Sequence, residues 1–323
     1  MDLKAFDDRK IHLLTRGNVD GIICAALYLH KIPDLKVSFT PSGDAAVDVM
    51  RKDLSSTKFI LTDLGLTPRL LKTFRDKRGF PQEILYLDHH AGSLEQASEI
   101  PDNVDSVIDT SASAASVVFD HLGLGQAHAH LVALADQVEF CKTPMLDHFE
   151  GGRLENEAKT LDFSWRQKVE DDRFRYYAAR KLATGAWPSE VSEIRARYLT
   201  MVNEGRWERA LEKVRTRMTI QQEVALVQFG RHKPSLFGFG SRAVSEVARQ
   251  EGAKVALLMN KRKDLSTLSL RRTDPNHDLD LGQMATEFTM HNGIVGGGHP
   301  HAAGAKIPTK YASTFLKELL SLA

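Results

Sequence analysis

The sequence predicts an α/β protein: a doubly wound parallel sheet in the first half, a helical connector, and a smaller α/β domain at the carboxyl end, with a cleft between the domains. Three observations carry this expectation. Short apolar runs alternate with helical stretches from Ile11 to Phe140, strand-like runs vanish between Asp147 and Arg217, and they return from Met218 onward. At 323 residues one hydrophobic core has stopped growing, so the chain is expected to divide. The boundaries follow the changes in pattern: 1–146, 147–217 and 218–323.

The elements follow in order. Ile11 to Thr15 is a short apolar run, Arg16-Gly17-Asn18-Val19-Asp20-Gly21 breaks it, and Ile22 to Leu29 resumes with helical periodicity. Val37 to Phe39 is expected as a second strand and Ala45 to Leu54 as a helix. Phe59 to Thr62 is a third strand ending at Asp63-Leu64-Gly65, and Thr67-Pro68 supplies the cap and first-turn proline of the next helix. Leu85 to Leu87 is the fourth strand, ending in Asp88-His89-His90. Helices are expected over Ser111 to Leu122 and His128 to Phe140. The stretch Asp147 to Arg217, rich in Arg and Glu with scattered Trp165, Trp187 and Trp207, reads as helical. Beyond it, strands are expected at Gln222 to Phe229, Leu236 to Phe239, Val255 to Met259 and Thr267 to Arg271, with helices at Arg242 to Arg249 and Leu281 to Phe288.

Composition narrows the partners. Lys plus Arg at 43 nearly cancels Asp plus Glu at 42, so no global field favours a long nucleic-acid duplex or an anionic membrane, and any phosphate binding must be local. Cys24 and Cys141 sit in apolar helical patterns and read as buried, reduced thiols rather than a disulfide framework. The amino terminus lacks an apolar signal region, and no apolar run approaches the ~18 residues of a spanning helix. A soluble, cytoplasmic protein with no membrane partner is the expectation.

The chemistry gathers at strand ends. Ligands of open α/β sheets lie at the carboxyl edge, and Asp20, Asp63 and Asp88 all fall there, with His89 and His90 beside them. A single strand-end Asp often only caps a turn; three of them with two imidazoles point to a site. Oxygen and imidazole together suit manganese, cobalt or zinc better than calcium. Asp136 lies inside an apolar helical stretch, where it either faces solvent or meets a cation. In the last domain, Gly296-Gly297-Gly298-His299-Pro300-His301-Ala302-Ala303-Gly304 reads as a loop whose glycines let the backbone approach an anion closely. Lys261, Arg262, Lys263 and Arg272 form a local basic cluster that serves equally as a solvated hairpin or a nucleic-acid contact.

Together, Asn18-Val19-Asp20-Gly21, Asp63-Leu64-Gly65, Asp88-His89-His90, Asp136 and Gly296 to Gly304 resemble the DHH phosphoesterase superfamily with its DHH-associated carboxyl-terminal domain. The length and plain layout look most like its oligoribonuclease branch, beside the single-strand exonuclease RecJ. The resemblance implies a manganese-dependent phosphoesterase with Asp20, Asp63, His89 and Asp136 around a metal and Asp88 and His90 in catalytic positions, while Arg16, a departure from the family, is expected to stand in for a cation by holding Asp63 or a phosphate oxygen. It also implies Gly296, Gly297, Gly298, His299 and Arg271 on substrate phosphate. Magnesium, cobalt and zinc are the other ions compatible with the site. Where the family usually has acid or His, then Asp, this chain has Arg16 and Asn18, so one ion is expected rather than the ordinary two. Two functions stay open: hydrolysis of short single-stranded RNA or DNA, or a catalytically silent relative that binds single strands or a replication or repair protein. The chain could act as a homodimer in either case.

Overall fold

The structure is a computed structural model; it describes residues 10–53, 55–76, 83–139, 149, 152–230, 235–274, 276–291 and 295–322, and the side chains of His291, Val295 and His299 lie outside that description. Cys141 and the amino-terminal Met1 to Lys4 fall outside the described residues. The chain divides into two compact units, Met1–Leu199 and Thr200–Ala323.

The first unit runs β1 (Ile11–Thr15), α1 (Val19–Lys31), β2 (Lys36–Phe39), α2 (Gly43–Lys52), β3 (Lys58–Thr62), α3 (Pro68–Arg75), β4 (Glu83–Asp88), a short α4 (Ala91–Glu95), β5 (Val104–Ile108), α5 (Ala114–His121) and α6 (Ala129–Glu139). Its strands are all parallel in the order β2-β1-β3-β4-β5. The doubly wound sheet is thus observed, and β5, which no apolar run announced, completes it. The sequence hides β5 because its Asp105, Ser106 and Val107 are exposed on an edge strand.

Both faces of the sheet are covered, which is why its strands read as unbroken apolar runs. Leu13, Ile60, Leu85 and Leu87 join α1, α5 and α6 in one core, while the alternate residues Leu14, Phe59, Leu61, Ile84 and Tyr86 join α2 and α3 in the other. Each buried Leu or Ile contributes roughly 1.5–3 kcal/mol by leaving water. The helices begin where the sequence marks them. Asn18, Ser42, Thr67 and Ser113 each accept a hydrogen bond from a first-turn amide, and Pro68 stands in the first turn of α3.

Two further helices, α7 (Gly152–Arg166) and α8 (Asp172–Leu182), add Leu154, Leu161, Phe174 and Ala178 to the α1 side of the core. The division between units falls within α9 (Ser192–Asn203).

The second unit opens with α10 (Arg206–Arg215) and continues β6 (Met218–Gln221), β7 (Val224–Phe229), α11 (Gly240–Gln250), β8 (Val255–Lys261), β9 (Leu265–Arg272), α12 (Leu281–His291), β10 (Val295–His299), β11 (Ala302–Pro308) and α13 (Ala312–Leu322). Its sheet is mixed, in the order β10-β11-β9-β8-β7-β6, with β7 and β8 the parallel pair.

Two local expectations are corrected here. Leu236 to Phe239 is a turn, not a strand, because Phe237 and Gly238 take positive φ values of 52° and 81°. The glycine run is not a loop: Gly296, Gly297 and Gly298 lie in β10 and pair with Ala305, Gly304 and Ala303 of β11. Among the described residues, no helix is long and apolar enough to cross a membrane.

Candidate metal centre

The strand order places the centre. In a 2-1-3-4-5 sheet the connections leave β1 and β3 in opposite directions, which opens a crevice at their carboxyl ends. The segments Arg16–Asp20 after β1 and Asp63 after β3 flank that crevice, and Asp88, His89 and His90 follow from the neighbouring β4.

His89 is held in one orientation. Its Nδ1 lies 3.2 Å from the carbonyl oxygen of Ala112, which can only accept, so Nδ1 carries a proton and Nε2 is the nitrogen turned to the carboxylates. That Nε2 stands 3.4 Å from Asp63 Oδ1 and 3.6 Å from Asp20 Oδ2. His90 repeats the arrangement, its Nδ1–H donating to Asp88 Oδ1 at 2.8 Å. The Asp88 carboxylate also accepts from Ser93 Oγ at 2.5 Å and Tyr86 Oη at 2.9 Å, and it is fully buried. Burial alone would raise its pKa, but His90 chiefly, with His89 and the Ser93 hydroxyl, outweighs this and holds it well below the usual carboxylate range.

Asp63 has φ +53°, a left-handed conformation that Asp tolerates better than most residues. Its Oδ2 is buried without a hydrogen-bond partner. Burial works to raise the Asp63 pKa, while His89 and the Arg16 guanidinium pull it below the usual value. Asp20 sits in the first turn of α1 and accepts from the amides of Ala114 (2.9 Å) and Ala115 (2.8 Å) at the start of α5. Burial first, and the Asp63 carboxylate second, push the Asp20 pKa well up. Gly21 follows because a Cβ there would lie 2.0 Å from the carbonyl oxygen of Arg16.

A divalent cation fits this arrangement. Ring-nitrogen and carboxylate oxygens from Asp63, His89 and His90 all lie within 4.8 Å of one another. His89 Nε2 faces two buried carboxylates, one with an unsatisfied oxygen, and a cation there would take the place of the proton that otherwise links His89 to Asp63.

The other expected residues are placed as follows. Asp136, buried on α6, accepts from the Ser113 amide (3.1 Å) and the Ser116 hydroxyl (2.9 Å), so it anchors the same first turn of α5 that Asp20 touches. Asn18 spends its side-chain oxygen on the Gly21 amide at 2.9 Å as the cap of α1. Arg16 is exposed and donates from Nη1 to His90 Nε2 at 3.3 Å. In the second unit, register sets Arg271 of β9 opposite Ala302 of β11, and Ala302 opposite His299 of β10, so the arginine and the glycine strand share one row. Tyr86, Ser93 and the Ala112 carbonyl were not singled out in the sequence. Tyr86 could have been, because it lies two residues before Asp88 on a strand and so on the same face.

The chain is thus an α/β protein with a buried carboxylate–imidazole cluster, a candidate metal site, at the switch point of its parallel sheet. Residues 240–323 match the DHHA1 domain family. No curated protein matches the chain. Among solved structures, the chain is similar to a pGpG-specific phosphodiesterase, PggH, from Vibrio cholerae, at 16% identity and TM-score 0.57 over 97% of this chain and 98% of that one. It is also similar to an exopolyphosphatase-related protein from Bacteroides fragilis, at 16% identity and TM-score 0.56 over 97% and 92% of the two chains. RecJ from Thermus thermophilus, solved in complex with Mn2+, aligns at 13% identity and TM-score 0.62 over 98% of this chain, which spans about half (52%) of RecJ. Residues 240–323 thus form a DHHA1 domain, and the chain as a whole shares the fold of these solved structures.

Proposed function

We propose that the protein is a manganese-dependent phosphodiesterase acting on short single-stranded oligonucleotides. The observation that carries the reading is the pair of anchored imidazoles: His89 and His90 each have Nδ1 on a fixed acceptor, the Ala112 carbonyl and the Asp88 carboxylate, and turn Nε2 to the crevice. Asp20, Asp63 and His89 would hold the ion, with His90 as a further ligand and Asp136 supporting them through the first turn of α5. The ion supplies charge to a phosphodiester and lowers the pKa of a water molecule. Asp88 is a positioning residue that fixes the His90 tautomer. The exposed Arg16 guanidinium offers paired donors to a non-bridging phosphate oxygen. Gly296, Gly297, Gly298, His299 and Arg271 would take a terminal phosphate. Support for a small substrate comes from similarity to the pGpG-specific phosphodiesterase over nearly the whole length of both chains.

Arg16 on His90 also favours a second reading, a silent relative that binds single strands without cleaving them. The experiment is a manganese-supplemented hydrolysis screen across dinucleotides, longer oligonucleotides, cyclic dinucleotides and pyrophosphate. Cleavage of dinucleotides and short oligomers, abolished by a chelator, is the expected result. Tight binding of an oligomer with no cleavage of any substrate would replace this reading with the silent one.

A further inference from the structure

His90 has one ring lone pair to give, and Arg16 is already on it. With Nδ1–H committed to Asp88, Nε2 is the acceptor, and it receives Nη1–H of Arg16 at 3.3 Å. His90 also belongs, with Asp63 and His89, to the group whose ligand atoms lie within 4.8 Å of one another. An imidazole nitrogen cannot accept a hydrogen bond and ligate a cation through the same lone pair. Arg16 is the first residue after β1, so its backbone is set by the sheet, whereas its side chain is exposed and free to turn. A guanidinium prefers a tetrahedral dianion, which it meets through two charge-assisted hydrogen bonds, to a single neutral nitrogen.

We infer that Arg16 and the divalent cation compete for Nε2 of His90, so that a phosphate-like anion drawing Arg16 away completes the cation site. The inference rests on the metal-centre reading and adds its regulation: cation and substrate phosphate load cooperatively. A free cation meets Asp63 and His89 with Asp20 nearby but finds His90 capped. With the anion bound, His90 is released as a further ligand. By linkage, whatever factor the anion adds to cation affinity, the cation adds to anion affinity.

The test needs no turnover. Manganese binding to the full chain is followed by loss of the aqueous Mn2+ resonance signal, with and without inorganic sulfate, a tetrahedral dianion whose manganese salt stays soluble, against chloride at equal ionic strength. Sulfate should tighten manganese binding by about fivefold or more. Arg16→Ala should bind manganese more tightly without sulfate and lose most of the sulfate effect. In wild type without sulfate, His90→Ala should change manganese affinity little, whereas in the Arg16→Ala background it should weaken it several-fold, a non-additive cycle. Additive effects of the two substitutions would leave only long-range charge repulsion by Arg16 and overturn the competition. Equal manganese affinity in wild type and Arg16→Ala, unmoved by sulfate, would overturn it while leaving the metal centre standing. No manganese binding by either protein under any condition would remove the metal centre and the competition together.

Discussion

In the proposed function, the crevice of the first unit and the glycine strand of the second act in opposite ways. At the crevice, the groups proposed to act are side chains at the ends of the buried central strands β1, β3 and β4, and a second group holds His89, His90 and Asp20: the Ala112 carbonyl, Asp88 and the α5 amides respectively. At the glycine strand the groups proposed to act are backbone. Gly297 and Gly298 have φ values of 150° and 153°, and β10 is the edge of its sheet. A Cβ on Gly298 would fall 2.3 Å from the Ala302 carbonyl oxygen, and one on Gly296 would fall 2.8 Å from Ala305 Cβ. The difference teaches where substitutions should register. Changes to crevice side chains should register first in metal binding and turnover, whereas changes to the glycine strand should register first in the fold.

The largest effect expected is from Asp63→Asn. Asn accepts the left-handed backbone as readily as Asp, so the fold should survive. The fold holds the Asp63 pKa below the usual value, so its ionised form contributes stability, and urea unfolding at neutral pH without metal should show a modest loss in the variant. Phosphodiester hydrolysis should fall by about three powers of ten, or ~4 kcal/mol of barrier. A variant that hydrolyses at the wild-type rate would remove Asp63 from the centre.

Gly298→Ala should invert that pattern. The added methyl group meets the Ala302 carbonyl at a backbone angle that alanine rarely adopts, and the cost should be about 2–4 kcal/mol in urea unfolding. Manganese binding by the folded fraction should remain that of wild type. A stable Gly298→Ala protein would mean that the strand tolerates side chains and that its glycines serve the ligand alone.

Between these extremes stands Asp88→Asn, which touches both function and fold. It weakens the hold on His90 and leaves the Ser93 and Tyr86 hydroxyls facing a poorer acceptor. Turnover should fall 10–100-fold, the usual range for a group that orients a metal-site histidine. Stability should fall by about 1–3 kcal/mol at neutral pH. The folded Asp88 pKa is depressed, so its stabilisation is complete above the unfolded carboxylate value of about 4 and is lost as pH falls toward the folded value. Wild type and Asp88→Asn should therefore converge in acid; a gap that widens there would reverse the sign assigned to Asp88.

The same contrast explains what could be read from the sequence. Strands buried on both faces, such as β1, β3 and β4, announce themselves as apolar runs, and a polar residue at the end of such a run is easily seen as a site candidate. The strand β5 was missed because it is an exposed edge, and β10 because glycine carries no hydrophobic pattern. Orientation was not legible either. That Asp20 and Asp136 share one helix terminus depends on packing between segments nearly a hundred residues apart in the case of Asp20 and Ala114, which no local spacing encodes. Asn18 is the clearest instance: its identity suggested a lost metal ligand, while its hydrogen bond shows a helix cap.

That instance supplies the smallest expected effect. If position 18 were a vacated ligand, Asn18→Asp would restore a charge to the centre and add a cation. In the structure the Asn18 oxygen accepts from the Gly21 amide with β-region backbone angles of φ −91° and ψ −173°, the geometry of an N-cap. Asp and Asn are nearly equal as caps, and a negative charge at a helix N-terminus is mildly favourable, so stability should change by less than about 0.5 kcal/mol. Asn18→Ala, which removes the acceptor, should cost about 1 kcal/mol. Manganese stoichiometry by calorimetry should be the same in wild type and Asn18→Asp, because a carboxylate held by the Gly21 amide stays with the helix. Turnover should also stay within about twofold, a barrier change of ~0.4 kcal/mol. A second manganese in Asn18→Asp would show that the cap yields to a cation, and that the first motif keeps a second metal position which asparagine leaves empty.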